Sequence, residues 1–233
     1  MKGYIYSDQI PMFGHKDIIG YGTDDFYVKE IERNLAYDII IKNHYSKKGD
    51  SIAHNRVNLG VFIKDELLGV LQYGYAMNPA SCSSIVKGTK TSEYLELNRM
   101  WLDDKAKRNS ESKAIAYSVK YIKGKLKTIK WIQSFADERC GGLGIVYQAA
   151  NFKYYGEHSS IFWKLDNEWY HNKAMTIKDV KKSNKAEKKL QANRDRAIKV
   201  ELRQFRYIYF IYQNVIKKCL LKEQPYLKHY NND

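Results

Sequence analysis

The chain has 233 residues, 44% of them hydrophobic, and a formal net charge of +14. This length and apolar content suit one globular domain with a buried core, or one domain with an appendage. No apolar run reaches the ~18 to 20 residues of a membrane-spanning helix, and no basic start leads into an apolar segment. These features exclude a membrane protein and predict a soluble protein of the cytoplasm.

The three cysteines, Cys82, Cys140 and Cys219, are spread far apart in the chain. An odd number at such spacing indicates neither a disulfide framework nor a paired-cysteine zinc site. The cysteine content therefore fits a reducing compartment.

Positive charge is concentrated toward the carboxyl end of the chain. Between residues 173 and 222 there are 15 Lys and Arg but only 4 Asp and Glu, a net +11. Clustered cations bind polyphosphates by releasing counterions, which predicts nucleic acid as the first partner. A basic tail that only keeps the protein soluble is the alternative. The cations that we predict to contact DNA are Lys181, Lys182, Lys185, Lys188, Lys189, Arg194 and Arg196.

The amino-terminal half of the chain predicts one helix and three strands. Residues 1–27 are rich in Gly, Tyr and Asp without periodicity, which predicts an irregular lead-in. Residues 28–43 carry apolar side chains four apart, the spacing of a helix face. Residues 59–75, LGVFIKDELLGVLQYGY, contain two apolar arms around a polar turn and predict a hairpin in the centre of a sheet. A further strand is predicted at residues 94–102.

The second half alternates helices with short strands. Residues 109–124 predict a helix, with Ser110 and Ser112 as candidate caps. The remaining predicted segments are a strand at 129–136, a glycine turn at 141–144, a helix at 145–152, strands at 154–155, 160–165 and 169–171, a Lys-rich helix at 177–201, and a strand or buried helix at 205–212. This order predicts the α/β class, with a mixed central sheet flanked by helices. We predict a main domain over residues 1–172 and a basic helical extension over residues 173–233 that packs on it.

A candidate anion site lies where the strand at 94–102 leads into the helix at 109–124. The first-turn amides of a helix lack intrahelical acceptors, so they attract phosphate. The junction resembles the cofactor-binding junction of the GNAT acyltransferase superfamily, although the superfamily's glycine-rich loop is absent. The resemblance implies acyl-coenzyme A as the cofactor, whereas an ordinary capped helix is the alternative. The cofactor-binding residues that it implies are Arg99, Lys107, Arg108, Ser110, Ser112 and Ser118.

Five ordered segments resemble a more specific family within this fold. They are NHYS at 43–46, ELNRMWL at 96–102, NSESKAIAYSVKYIK at 109–123, QSFADERCGGLGIVYQAANFKYYG at 133–156 and EWYHN at 168–172. Together they resemble the Mom family of bacteriophage DNA-modification proteins. The resemblance implies a GNAT-like catalytic domain in a phage-encoded protein of the bacterial host cytoplasm. It also implies conversion of the exocyclic amino group of adenine in DNA to a carbamoylmethyl derivative, which protects the DNA from restriction.

The fourth segment supplies the two principal catalytic candidates. Asp137 ends a predicted buried strand, where a carboxylate needs a task or a partner, and it is predicted as a general base or an adenine-recognising group. A cap, or a pair with Arg139, is the alternative. Tyr147 lies in the following helix, where the GNAT resemblance implies a general acid, although core packing is the alternative. Cys140 is a weaker candidate, and we predict that it is buried rather than nucleophilic.

Two further candidates follow the first predicted helix. His44 is predicted as a base or metal ligand, with a structural hydrogen bond as the alternative, and Tyr45 as a stacking surface for a flipped adenine. The implied product joins nitrogen to an sp³ carbon, which acyl transfer alone does not produce. A redox metal such as iron is one candidate for the missing activation, with His44, Asp137 and Tyr147 as candidate ligands despite the lack of a spacing motif.

Two other functions also fit the sequence. One is a GNAT N-acetyltransferase that acts on protein or small amines. The other is a non-catalytic DNA-binding protein, which the basic segment and the missing glycine-rich loop both favour. The sequence does not indicate an oligomeric state.

Overall fold

The structure is a computed structural model that describes residues 2–8, 16–45, 55–177 and 184–228. It contains two compact units. The first unit comprises Met1–Ser134, Ile145–Tyr155 and Tyr207–Tyr226, and the second comprises Phe135–Gly144, Gly156–Arg206 and Leu227–Asp233. This division differs from the predicted boundary at residue 172, because part of the carboxyl-terminal region belongs to the first unit.

The first unit is built on an antiparallel run of strands that follow one another in the chain. They are β1 (Gly3–Tyr6), β2 (Ile18–Thr23), β3 (Phe26–Glu30), β4 (Asn55–Ile63), β5 (Glu66–Gly74) and β6 (Tyr94–Leu102). The predicted hairpin of residues 59–75 is present as β4 and β5. Its turn residues Lys64 and Asp65 have φ values of 49° and 64°, which match the twist of the paired strands.

Residues 1–27 differ from the predicted irregular lead-in, because they supply β1, β2 and the start of β3. In β2, glycine occupies positions 20 and 22, and this dilutes the apolar alternation that signals a strand. A Cβ atom on Gly22 would lie 2.4 Å from the Cα atom of Tyr27 in β3. The close approach of these two strands therefore requires glycine.

Helices cover the sheet of the first unit. Helix α1 (Arg33–Asn43) begins later than predicted, because residues 28–30 belong to β3. It packs Ala36 and Ile40 against Val70 of β5. A short helix, α2 (Cys82–Ile85), lies between β5 and β6, and the long helix α3 (Ser110–Lys125), close to its predicted bounds, packs on β2 and β3.

The parallel pair formed by β6 and β7 (Trp131–Asp137) is short. Tyr94, Leu95 and Glu96 pair with the first three residues of β7. Within the described residues, no ladder joins the two strands beyond Glu96, although β6 continues to Leu102. The Leu97 carbonyl accepts from the Ser134 hydroxyl at 3.1 Å, so the part of β6 without a partner on this side runs from Asn98 to Leu102 among the described residues. Helix α4 (Ile145–Ala149) follows the glycine turn and is shorter than the predicted helix at 145–152.

The carboxyl-terminal region contains a long strand as well as helices, which differs from the predicted helical extension. A hairpin of β8 (Lys153–Leu165) and β9 (Glu168–His171) precedes α5 (Asn172–Thr176) and α6 (Lys185–Ala192), and β10 (Ile198–Phe210) follows. Residues 205–212 were predicted as a strand or a buried helix, and they form a strand as far as Phe210.

The strands of the described residues form one sheet in the order β1-β2-β3-β4-β5-β6-β7-β10-β8-β9. Parallel and antiparallel pairs both occur, with helices packed on the sheet, and the predicted mixed α/β class is confirmed. In the described part of the chain, no helix is both long and apolar enough to cross a membrane.

Candidate active site

The junction between β6 and α3 has the properties of an anion site. Asn109 precedes the helix in a left-handed conformation with φ of 69°, and its side chain makes no capping hydrogen bond. The first-turn amides of α3 are therefore not satisfied by a side-chain cap, and the helix dipole adds positive potential there. Two acids at this junction, Asp103 and Asp104, oppose an anion, and the Asp103 carboxylate already accepts a hydrogen bond from the Lys105 amide at 2.9 Å.

The predicted cofactor-binding residues at this junction differ in exposure. Lys107 and Arg108 are exposed beside the start of α3, so their charges can reach a bound phosphate. Ser110 is buried, and the Ser112 hydroxyl donates to the Asn109 carbonyl at 3.0 Å. The amides of this turn, rather than its hydroxyls, are therefore the better phosphate ligands. These amides suit the pyrophosphate of acyl-coenzyme A, and the part of β6 without a β7 partner suits its amide-containing arm.

Ser118 lies deeper in the first unit than a cleft-lining residue would. It is fully buried, its hydroxyl donates to the Ile115 carbonyl at 2.7 Å, and its Oγ lies 2.5 Å from the Tyr73 hydroxyl oxygen. Because the single Ser118 proton goes to the carbonyl, Tyr73 is the donor between the two hydroxyls. Burial raises the pKa of Tyr73 above its ordinary value, and the nearby Tyr147 adds to the rise. Sequence patterns did not identify Tyr73.

Tyr147 lies in an aromatic cluster of the first unit. Its ring is 5.5 Å from the Tyr207 ring and 6.0 Å from the Phe152 ring, measured between centroids. The neighbouring Gln148 side chain donates to the Tyr207 hydroxyl at 3.0 Å. Tyr147 is half-buried, so packing fixes its ring while part of the side chain stays accessible. Tyr207 was not singled out from the sequence, because it comes from β10, far along the chain.

Asp137 belongs to the second unit and forms the pair that the sequence left as an alternative. Its carboxylate accepts from the Arg139 amide at 3.0 Å and from the Arg139 Nε atom at 2.9 Å, and it also forms a salt bridge to the guanidinium Nη2 atom. The guanidinium lies 4.1 Å from the Phe162 ring centroid. Asp137 therefore caps the turn after β7 and holds Arg139. Its juxtaposition with Tyr147 stays a prediction.

His44 and Tyr45 follow α1 directly. The two ring centroids lie 4.2 Å apart with an interplanar angle of 36°. His44 is buried at 7% exposure, whereas Tyr45 is 58% exposed. The pair therefore presents an accessible aromatic face that rests on a fixed imidazole. Ser46, the last residue of the NHYS segment, lies outside the described residues.

A polar row crosses the middle of the sheet. Asn58 of β4, Gln72 of β5 and Arg99 of β6 are direct partners in register. The buried Gln72 donates to the Asn58 Oδ1 atom at 3.1 Å, and Arg99 donates to the Asn98 carbonyl at 2.6 Å. Arg99 thus belongs to a row of polar residues on three neighbouring strands of the first unit. Asn58 and Gln72 were not predicted, because isolated polar residues in an apolar strand carry no local signal.

The predicted metal ligands come from both units. Among the described residues, no group of three or more His, Cys, Asp or Glu side chains is arranged to hold a metal ion. His44 and Tyr147 belong to the first unit and Asp137 to the second. Cys140 is exposed, which differs from its predicted burial.

Several of the cations predicted to contact DNA serve as internal partners in the second unit. Lys189 lies 3.5 Å from carboxylate oxygens of Asp166 and Glu168, and Arg196 lies 2.7 Å from Asp166. Arg194 donates to the Met175 carbonyl at 3.0 Å. Of the other predicted cations, Lys185 and Lys188 are exposed and have no salt bridge within the described residues, whereas Lys181 and Lys182 lie outside the described residues.

Comparisons with known proteins fit this architecture. The family model described as "Mom protein family" matches residues 25–228. The protein "Methylcarbamoylase mom" of Escherichia phage Mu is 44% identical over 214 residues, covering 91% of this chain and 87% of that protein. Arabidopsis thaliana NAA60 in complex with acetyl-CoA aligns with a TM-score of 0.50 and 12% identity, over 80% of this chain and 99% of that chain. An acetyltransferase of the GNAT family from Streptococcus pneumoniae aligns with a TM-score of 0.45 and 10% identity, over the same shares of the two chains. The predicted GNAT-like fold is confirmed.

Proposed function

The chain belongs to the Mom protein family, and on this premise we propose that it is an enzyme that modifies adenine in DNA. The proposed reaction converts the exocyclic amino group to a carbamoylmethyl derivative, which protects phage DNA from restriction. The observation that carries the proposal is the 44% identity to methylcarbamoylase mom of phage Mu, because it extends over 91% of this chain. The family match at residues 25–228 also includes every candidate catalytic residue.

We infer acyl-coenzyme A as the cofactor. The uncapped first turn of α3, with Lys107 and Arg108 beside it, would hold the pyrophosphate, and the unpaired part of β6 would hydrogen-bond the amide-containing arm. When bound, the cofactor supplies an acyl group activated as a thioester. The observation of an uncapped helix start supports this assignment independently of the family.

The proposed product requires more than acyl transfer. Transfer from a thioester joins nitrogen to a carbonyl carbon, whereas the product joins nitrogen to an sp³ carbon. The donor set of the described residues does not form a metal centre, and no step is assigned to one. The adenine amine is a weak nucleophile, because its lone pair is delocalised into the ring. We assign proton transfer at this amine and at the leaving group to Asp137 and Tyr147.

Access to the target amine requires the base to leave its pair. The amino group takes part in Watson–Crick pairing, so an enzyme must flip the base or act on single strands. Tyr45, exposed and supported by His44, offers a stacking surface for an extruded adenine. This role gives His44 and Tyr45 of the NHYS segment a physical function.

Mass spectrometry of nucleosides from cells that express the chain tests the proposal. We expect a modified deoxyadenosine in their DNA. Tyr147→Phe should lose the modification while keeping a cooperative unfolding transition, because it removes only the hydroxyl. Tyr6→Phe, on an exposed side chain of β1, is the matched control and should modify DNA normally. Unchanged deoxyadenosine in cells that contain the folded wild-type chain would contradict the proposal.

Incubation with labelled acetyl-coenzyme A separates the alternative functions. Label on polypeptide or small amines, with none on DNA, would favour an N-acetyltransferase. DNA binding without any modification, in wild type and Tyr147→Phe alike, would favour a non-catalytic DNA-binding protein.

A further inference from the structure

A small basic pocket of the first unit has no role in the proposed reaction. It lies where β6 and β7 begin and has a volume of about 170 Å³. One wall comes from the connection between α2 and β6, and the other from the segment that follows β10. The lining side chains that matter for binding are Lys87, Glu93, Lys130, Tyr212, Asn214 and Lys218.

Backbone hydrogen bonds fix the two walls of this pocket against each other. The Lys87 amide donates to the Lys218 carbonyl at 2.8 Å, and the Leu220 amide donates to the Ile85 carbonyl at 2.8 Å. Ile85 and Val215, one from each wall, also share a buried apolar cluster with Trp131. The pocket is therefore formed before any ligand arrives, which lowers the ordering cost of binding.

The charges in the pocket leave two ammonium groups for an external anion. Glu93 forms a salt bridge with Lys130 and accepts from the Lys90 amide at 3.0 Å, and these contacts lower the pKa of its carboxyl. Glu93 is thus already compensated. Within the described residues, neither Lys87 nor Lys218 forms a salt bridge, and Tyr212 and Asn214 add neutral donors beside them.

This pocket is separate from the anion site at the start of α3. Strand β6 begins beside the pocket at Tyr94 and ends at Leu102, before the chain reaches α3. At a rise of about 3.3 Å per residue, β6 spans roughly 26 Å between the pocket and the residues that lead into α3. One cofactor pyrophosphate at α3 therefore leaves the pocket to another ligand.

We propose that this pocket binds a phosphate of the DNA backbone and so anchors the duplex while a base is modified. The inference rests on the proposed function for the identity of the anion. Two lysines and two neutral donors suit a phosphodiester group, since lysine acts as a point charge toward phosphate. Such a contact positions the duplex without recognising its sequence.

The double variant Lys87→Gln/Lys218→Gln tests the inference with a short fluorescent duplex. We expect weaker binding, and a slope of log affinity against log salt that is shallower by about 0.9 for one lost phosphate contact. Lys87→Arg/Lys218→Arg should keep the wild-type slope. The matched control is Lys120→Gln/Lys123→Gln on the exposed face of α3, which removes the same charge elsewhere in the first unit and should also keep it.

Equal slopes for the pocket variant and the control would overturn the inference. A wild-type slope in the pocket variant, combined with loss of inorganic phosphate binding seen by phosphorus NMR, would assign the pocket to free phosphate and overturn the DNA assignment. Nucleoside mass spectrometry tests the proposed function separately. If the wild-type chain modifies adenine and the Lys87→Gln/Lys218→Gln variant keeps the wild-type salt slope, the pocket assignment alone is rejected. If the wild-type chain leaves adenine unmodified and the variant has a shallower slope, the proposed function alone is rejected.

Discussion

At the scale of single residues, Asp137 has an observed structural role and a proposed chemical one. Its carboxylate caps the turn after β7 and pairs with Arg139, as a structural acid would. The proposed chemistry also needs an acid–base group, and the family match includes this position. If Asp137 is only structural, it acts through its contacts with Arg139. If it is an acid–base group, its carboxylate takes part in the reaction directly. Substituting each partner in turn separates the two.

Asp137→Asn and Arg139→Gln should therefore differ in activity although both remove the same ion pair. We expect Asp137→Asn to lower the rate of adenine modification by at least about 100-fold, the usual contribution of a general base. Arg139→Gln should lower it by less than about tenfold, because the carboxylate and its bond to the residue 139 amide remain. Urea unfolding should show a loss of about 1–3 kcal/mol for both variants. Equal losses of activity would assign a purely structural role to the pair.

The same residues show what the sequence could predict about the site. Asp137 and Arg139 are two positions apart, so their pairing was foreseeable as an alternative. Tyr73 and Ser118 are 45 positions apart and meet only after β5 and α3 pack. The position of Tyr73 in an apolar strand gives no hint of the hydroxyl contact. Local patterns thus identified candidate residues, whereas their partners depended on the tertiary fold.

At the scale of secondary-structure elements, prediction succeeded where periodicity is strong. The β4–β5 hairpin and α3 were predicted close to their observed positions, because their apolar spacing is regular. Strands β1 and β2 were missed, because glycine replaces apolar side chains in β2 and β1 has four residues. The glycines of β2 obscure its apolar alternation in the sequence, and the same glycines permit its close pairing with the neighbouring strand.

Gly22→Ala should consequently destabilise the first unit. Its Cβ atom would lie 2.4 Å from the Tyr27 Cα atom and 2.5 Å from the Phe26 carbonyl oxygen, so β2 and β3 would have to separate. We expect a loss of about 1–3 kcal/mol in the free energy of unfolding, the usual cost of overpacking. Gly3→Ala is the matched control, because its Cβ would meet nothing within 4 Å, and it should change stability by less than ~0.5 kcal/mol. Equal stability of the two variants in urea would contradict this account.

At the scale of the whole molecule, only some of the 40 Lys and Arg side chains are available to a DNA partner. Lys189 and Arg196 hold Asp166, and Arg203 holds Glu138, so these cations stabilise the protein itself. Composition alone counted all of them toward DNA binding. The structure leaves Lys185 and Lys188 on α6 as the clearest remaining candidates within the predicted set.

Two changes to the carboxyl-terminal region should therefore have different outcomes. A chain that ends at residue 177 should not fold, because it lacks Ile208 and Phe210, which pack with Trp131 in a core cluster. Lys185→Gln/Lys188→Gln should fold normally and bind DNA more weakly, with a shallower salt dependence. Circular dichroism during urea titration measures the first outcome, and fluorescence anisotropy of labelled DNA measures the second. A cooperative unfolding transition in the truncated chain would contradict the structural role of β10.

The late position of β10 also has a consequence for protein synthesis. The core cluster around Trp131 stays incomplete until residues 208–215 have left the ribosome. The nascent chain would therefore expose Trp131 and Tyr94 to chaperones from their own emergence until residues 208–215 follow. Under this order of events, chains that terminate before residue 208 should be inactive fragments, because their Trp131 cluster is incomplete.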